Sequence, residues 1–233
     1  MKKTAKTQIK NLISKADAFA STNGEEILIE YEKKSRLLIS WIQILKLHCR
    51  TGTADELLES VSSTIREAAA FAAIGAVRPC LFALRAQPDL LLSWIYFKDH
   101  PVEYASLCRT GENYILKKEA LKYMSDNYER FSIRFGVMSQ TISRKYQDPY
   151  RLLSAHIHSQ SPFVISEITD FTDIIREIKL VEECAVAQWE VAEYLSDILF
   201  SLTLFSYHAL PEAVKENINL RITTDGHKKL IFN

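Results

Sequence analysis

Apolar residues recur at every third or fourth position along most of the chain, which is the period of an amphipathic helix. Residues 4–20 and 25–50 follow this pattern, and the small polar residues 21–24 between them predict a break. A third apolar run covers residues 53–76. It opens with a threonine followed by a glutamate three residues later, the pattern of a capping box at residues 53–56.

Prolines divide the next part of the chain. Pro79 should kink or restart the third helix, and Pro88 should break it again, so that residues 90–97 form a short apolar element. Pro101 is placed to begin another helix. Helical periodicity then continues to about residue 146, with breaks near residues 110–111 and 125–126.

An aromatic and apolar stripe lies within residues 127–146. Its members stand three or four positions apart: Tyr128, Phe131, Phe135, Met138 and Ile142. Such a stripe is more typical of a buried core face than of a ligand site. Residues 170–208 are predicted to form one long helix or two in tandem.

The last residues show a different pattern. Asp225 and Gly226 are flanked by apolar residues, which is a local signal for a β-hairpin. We therefore expect an all-α fold, with a single helical bundle over residues 1–219 and a kinked central helix. Residues 220–233 would form a C-terminal arm or a small β-hairpin.

Charge and cysteine usage exclude several classes of protein. The 29 basic and 29 acidic residues balance, so a strongly basic surface for nonspecific nucleic-acid binding is not expected. The four cysteines show no spacing typical of a zinc site or a disulfide framework. The apolar runs are shorter than the roughly 20 residues of a membrane span. We expect a cytoplasmic protein with no membrane association, cofactor or metal.

The densest group of chemically reactive residues lies at residues 148–162. Asp148 and Pro149 are typical of a helix N-cap and first turn, and residues 159–162 are expected to end that helix after about ten residues. At about 100° per residue, Arg151, Ser154 and His158 share one face, while His156 points roughly 140° away from Arg151. Arg151 and His158 are thus predicted to face one space, with the Ser154 hydroxyl between them.

An arginine and a histidine on one face suit chemistry on a phosphodiester. A guanidinium can hold a phosphate by two hydrogen bonds and stabilise negative charge that develops on it. A histidine can accept or donate a proton near neutral pH. In RNA the neighbouring 2′-hydroxyl is a built-in nucleophile, so this chemistry needs no metal. Two copies of the pair across a dimer would supply two cations and two proton carriers.

The arginine–histidine spacing within a helical chain resembles the HEPN superfamily, whose motif is an arginine followed by four to six residues and a histidine. Four residues separate Arg151 from His156, and six separate it from His158. The resemblance implies a helical bundle, a homodimer with the motif at its interface, and metal-independent RNA cleavage that leaves a cyclic phosphate. It also implies that Arg151 is the phosphate clamp and that His158 or His156 is the acid/base. Such a protein would act as a toxin or a phage-defence effector.

Nearby residues could support such a site. Arg144 and Lys145 could guide an RNA backbone, and Tyr150 and Tyr146 could stack on bases or pack in the fold. Active members of the superfamily usually carry a polar residue directly after the arginine, where this chain has Leu152. The alternative is a non-catalytic helical interaction or regulatory subunit of a bacterial defence assembly, which binds a partner protein.

Overall fold

The computed structural model describes residues 4–158 and 168–232, and this part of the chain is all-α, as expected. The only extended pairing within these ranges is an isolated bridge between Ala76 and Ile175. Short 3-10 turns lie at Phe171–Ile174 and Tyr207–Ala209. The helices are α1 Ala5–Phe19, α2 Glu25–His48, α3 Asp55–Ala73, α4 Val77–Phe97, α5 Pro101–Thr110, α6 Lys117–Asn127, α7 Phe131–Gln140, α8 Pro149–Ile157, α9 Ile178–Ser201, α10 Glu212–Arg221 and α11 Asp225–Phe232.

The core lies between α2, α3, α4 and α9, which pack against one another along their apolar faces. Polar groups inside it are paired. The Trp41 Nε1–H donates to Ser196 Oγ at 2.8 Å, and the amides of Gln87 and Gln188 exchange hydrogen bonds of 2.9 Å. A shift of α2 or α4 against α9 would break these bonds and leave buried polar atoms unpaired, which is costly. The bonds therefore fix the orientation of both helices against α9.

The predicted break at residues 21–24 is wrong. The backbone stays helical there as a π-turn over Ala20–Gly24, which joins α1 to α2. Gly24 is buried, and a Cβ at this position would lie 3.3 Å from the Ala73 carbonyl oxygen. The glycine thus allows a close approach to the end of α3 instead of stopping the helix.

The predicted capping box at residues 53–56 is also not formed. The N-cap of α3 is Ala54, in the left-handed region at φ 60°, and its side chain caps nothing. The Asp55 carboxylate instead accepts the backbone N–H of Gly52 at 2.9 Å. The turn before α3 is therefore stabilised by the side chain of the first residue of the helix.

The central helix restarts where it was expected to. The chain turns at Gly75, and Pro79 lies in the first turn of α4, where a missing N–H costs little. Pro88 does not end α4, so the prediction of a separate element over residues 90–97 is wrong. Pro88 is buried within the helix, and the buried leucines on either side of it, Leu84 and Leu91, keep the helix continuous through core packing.

The aromatic stripe belongs to the core, as predicted. Phe131 and Met138 are buried on α7, which packs against α9. Pro101 begins α5, also as predicted, and Gly111 ends it in the left-handed region. In the C-terminal part, α9 covers Ile178–Ser201, a shorter range than the predicted residues 170–208.

The predicted C-terminal β-hairpin is wrong, because Asp225 and Gly226 form the first turn of α11. The Thr224 hydroxyl accepts the His227 N–H at 3.3 Å, and the Thr224 carbonyl accepts the Lys228 N–H at 3.0 Å. Ile231 is buried, and α11 packs on α7. The expected boundary between residues 219 and 220 falls inside α10.

Within the described ranges, no helix combines the length and the apolar character that crossing a bilayer requires. The expected helix stop at residues 159–162 lies outside the described residues, and α8 ends at Ile157.

Candidate functional site

Helix α8 carries the arginine and the two histidines, and local sequence signals define its start. Asp148 is the N-cap, its carboxylate accepting the Arg151 N–H at 3.4 Å, and Pro149 is the first helical residue. Asp148 also pairs with Lys117 Nζ at 2.5 Å, which ties the start of α8 to α6. His158 is the C-cap, and its N–H donates to the Ser154 carbonyl at 3.0 Å.

The Arg151 and His158 side chains are both exposed, seven residues apart, which is about two turns along one side of the helix. The opposite side carries the buried Leu153 and packs against α4 and α9. Neither side chain forms a hydrogen bond or an ion pair with any residue in ranges 4–158 and 168–232. Both groups are therefore available to a ligand on the outer face of α8.

Ser154 is not placed between Arg151 and His158 as expected. Its hydroxyl oxygen accepts a hydrogen bond of 2.9 Å from Arg85 Nε on α4. The serine therefore links α8 to α4, and its hydroxyl is turned toward the scaffold.

Sequence reasoning missed Arg85. Only 8% of this residue is exposed, and its guanidinium lies 3.5 Å from the centroid of the Tyr150 ring. The same guanidinium forms an ion pair with Asp89, one turn further along α4. The signal that could have found it is an arginine and an aspartate at i, i+4 within the apolar sequence of α4, since charged residues are rarely buried without a partner.

The Tyr150 ring forms cation–π contacts with two basic side chains. Besides Arg85, Lys117 Nζ lies 4.7 Å from the ring centroid. Burial and the nearby charge of Asp89 raise the pKa of the Tyr150 phenol, so it stays neutral at physiological pH. Tyr150 therefore packs from α8 against cations of α4 and α6 and does not offer its ring to a base.

His156 lies on a different side of α8 from Arg151. It is half-buried and lines a cavity of about 320 Å³ between α4, α8 and α9. Burial lowers the pKa of its imidazole, and the positive charge of Arg78 lowers it further. The imidazole is therefore neutral at pH 7.

Arg144 was expected to guide an RNA backbone, but its side chain is completely buried. Its Nη1 lies 2.5 Å from Asp197 Oδ2 and 3.3 Å from Glu193 Oε2 on α9. Arg221 from α10 completes this cluster, 2.7 Å from Asp197 Oδ1. The guanidinium of Arg144 thus has no exposed face for a surface ligand.

Lys145 and Tyr146, by contrast, are exposed next to the cavity, and Lys145 Nζ lies 5.1 Å from the Tyr146 ring centroid. Their backbone N–H groups donate to the Glu190 carboxylate at 2.7 and 2.9 Å. The carboxylate of Glu193 accepts the N–H groups of Ser143 and Arg144 in the same way. Two glutamates of α9 therefore fix the loop that leads into α8.

Within residues 4–158 and 168–232, no three His, Cys, Asp or Glu side chains are close enough together to bind a metal ion. Comparison of the chain with protein-family models, curated proteins and solved structures gives no significant match. The described residues form an all-α protein with an exposed arginine–histidine face on α8, and a buried arginine of α4 bonds to this helix.

Proposed function

We propose that this protein is a HEPN-like, metal-independent ribonuclease that acts as a homodimer in the cytoplasm, as a toxin or phage-defence effector. The observation that supports this function best is the pair of exposed side chains on α8. Arg151 and His158 are on one side of a short capped helix, and both lack partners in the described residues. A cation and a proton carrier held in this way fit a phosphodiester.

In the proposed reaction the Arg151 guanidinium binds the scissile phosphate and stabilises the charge that develops on it. The RNA 2′-hydroxyl attacks the adjacent phosphorus and gives its proton to one His158. The bond to the 5′-oxygen breaks, and this oxygen takes a proton from the His158 of the second copy. The products are a 2′,3′-cyclic phosphate and a 5′-hydroxyl. The first His158 ends the step protonated and the second ends it neutral, so the number of protons is conserved.

The geometry favours His158 over His156 as the acid/base. His158 is exposed on the side of Arg151, whereas His156 is half-buried and lines the cavity. Ser154 and Arg85 then act as positioning residues, because their hydrogen bond fixes the rotation of α8 about its axis. Lys145 remains a candidate for guiding the RNA backbone, because its side chain is exposed.

The test is cleavage of a mixed RNA substrate in EDTA by the full chain and by two variants. Arg151→Ala and His158→Ala should each lower the rate by at least about a hundredfold, the usual contribution of one acid/base or charge-stabilising group. Arg109→Ala and His208→Ala are matched controls, because both residues are exposed on other helical segments. RNA decay that is unchanged in both α8 variants would contradict the assignment.

Two observations favour the alternative, a non-catalytic subunit that binds a partner protein. The residue directly after Arg151 is Leu152, where active members of the resembled superfamily usually carry a polar residue. In addition, exposed apolar residues gather at the N-terminal parts of α2 and α9: Leu28, Ile29, Ile178, Leu180 and Val186. If this alternative is right, the wild-type chain shows no RNase activity and a partner protein covers these residues.

A further inference from the structure

The cavity beside His156 has the size and lining of a small-ligand site. Its volume of about 320 Å³ is at the lower end of the range for ligand pockets. Val77 and Leu81 of α4, Leu152 of α8, and Leu180 and Ala187 of α9 supply apolar walls. A site of this size suits one planar ring system better than a larger ligand.

The titratable side chains that line the cavity, besides the Tyr146 phenol, are Lys145, His156, Glu183 and Glu190. The His156 ring forms no hydrogen bond with the described residues, and its lowered pKa keeps it neutral, so one ring nitrogen donates and the other accepts. Glu190 is already bound by two backbone N–H groups. The Tyr146 ring, 38% exposed, also lines the cavity and has an aromatic face.

We propose that this cavity binds one unstacked base of single-stranded RNA, with His156 hydrogen-bonding to the edge of the base and Tyr146 stacking on it. A nucleobase has apolar faces and a polar edge, which match the apolar walls and the single imidazole. The proposal rests on the proposed function and names a specificity site for it.

The position of the cavity on α8 supports this reading. Leu152 directly follows Arg151, and His156 stands two residues before His158, so the cavity and the arginine–histidine face share the same two turns of α8. The two lie roughly 100–140° apart around the helix axis. In the proposal, an RNA strand with one phosphate on Arg151 follows the surface of α8 and places a base at His156. The two histidines then have separate roles, proton transfer by His158 and base recognition by His156.

The test is binding of four uncleavable 2′-O-methyl homo-oligonucleotides of equal length, one for each base, to the full chain by fluorescence anisotropy. The wild-type protein should prefer one base by about tenfold, as expected from one hydrogen bond to the base edge. Ala187→Phe, which fills the cavity, and His156→Ala should each abolish the preference. Ala187→Ser is the matched control and should keep it. A thermal melt shows whether each variant is folded. If Ala187→Phe is unfolded, the result with His156→Ala alone tests the base site.

Equal binding of all four oligonucleotides by the wild type, or a preference that survives both cavity variants, would overturn the base site. The outcome is separable from that of the cleavage assay. Cleavage that depends on Arg151 and His158 without any base preference removes the base site alone. A His156-dependent base preference in a chain that does not cleave RNA removes the nuclease and leaves the base site.

Discussion

Arg144, Arg221, Glu193 and Asp197 form a buried cluster of two guanidinium and two carboxyl groups between α9, α10 and the loop before α8. Removal of one partner from such a cluster leaves a charge that is neither hydrated nor neutralised. The cluster therefore makes the loop that precedes α8 dependent on the core.

Arg144→Ala should lower the free energy of unfolding by about 3–5 kcal/mol, as expected for a broken buried ion pair. Urea denaturation measures this change. Lys145→Ala is the matched control, because the neighbouring lysine is exposed and should cost less than about 1 kcal/mol. A similar loss in both variants would contradict the structural role of Arg144.

The imidazole of His156 gives a pH-dependent prediction. Burial and Arg78 lower its pKa in the folded protein, so the unfolded chain binds this proton more readily. The stabilising contribution is complete above the ordinary histidine pKa of 6.5 and declines as pH falls through that value toward the lower folded pKa. NMR titration should give His156 a lower midpoint than 6.5, and the Arg78→Ala variant should raise it. A midpoint at or above 6.5 would contradict the half-buried position.

At the residue scale, helical spacing was enough to predict that Arg151 and His158 share one side of α8, because both belong to one short helix. It could not predict the partner of Ser154. That partner is Arg85, 69 residues earlier in the sequence, and only the packing of α4 on α8 brings the two together. The burial of Arg144 has the same cause, since its partners belong to α9.

At the scale of elements, the turn between α3 and α4 depends on Gly75. Its φ of +80° is in the left-handed region, and a Cβ there would lie 2.8 Å from Ile175 Cγ2 and 3.2 Å from the Phe19 ring. The Gly75 carbonyl also accepts the Arg176 N–H at 2.9 Å. This turn therefore joins α1, α4 and the segment before α9.

Gly75→Ala should destabilise the protein through backbone strain and steric overlap. Gly52→Ala is the matched control, because Gly52 has the same φ of +80° but no atom within 4 Å of a Cβ. Strain alone should cost about 1–2 kcal/mol in both variants, and overlap should add roughly 1–3 kcal/mol at Gly75 only. Urea denaturation of the two variants measures the difference, and equal losses would show that the packing around Gly75 relaxes freely.

Helix starts with strong local signals could be predicted, and starts decided by packing could not. Asp148 and Pro149 act within one turn, so the start of α8 is readable from sequence. Asp225 and Gly226 are locally compatible with a hairpin, and burial of Ile231 against α7 selects the helix. Pro88 likewise stays inside α4, because the core on both sides of it outweighs the lost hydrogen bond.

At the scale of the whole molecule, the proposed reaction requires two copies of α8 around one RNA strand. The native mass measured by light scattering should be twice that of the chain. A strictly monomeric chain that cleaves RNA would contradict the composite site, because a single His158 would then have to serve as both base and acid. The symmetric arrangement also predicts that both copies contribute the same surface.

The chemistry of the cleaved ends tests the central claim most directly. Attack by the 2′-hydroxyl produces a 2′,3′-cyclic phosphate and a 5′-hydroxyl, and mass spectrometry of the products from a defined RNA in EDTA distinguishes these from other ends. The proposed roles of Arg151 and His158 predict cyclic phosphate ends with the wild-type chain, formed at least about a hundredfold more slowly by either alanine variant. Products with 3′-hydroxyl ends, or no cleavage by the wild-type dimer, would contradict the account.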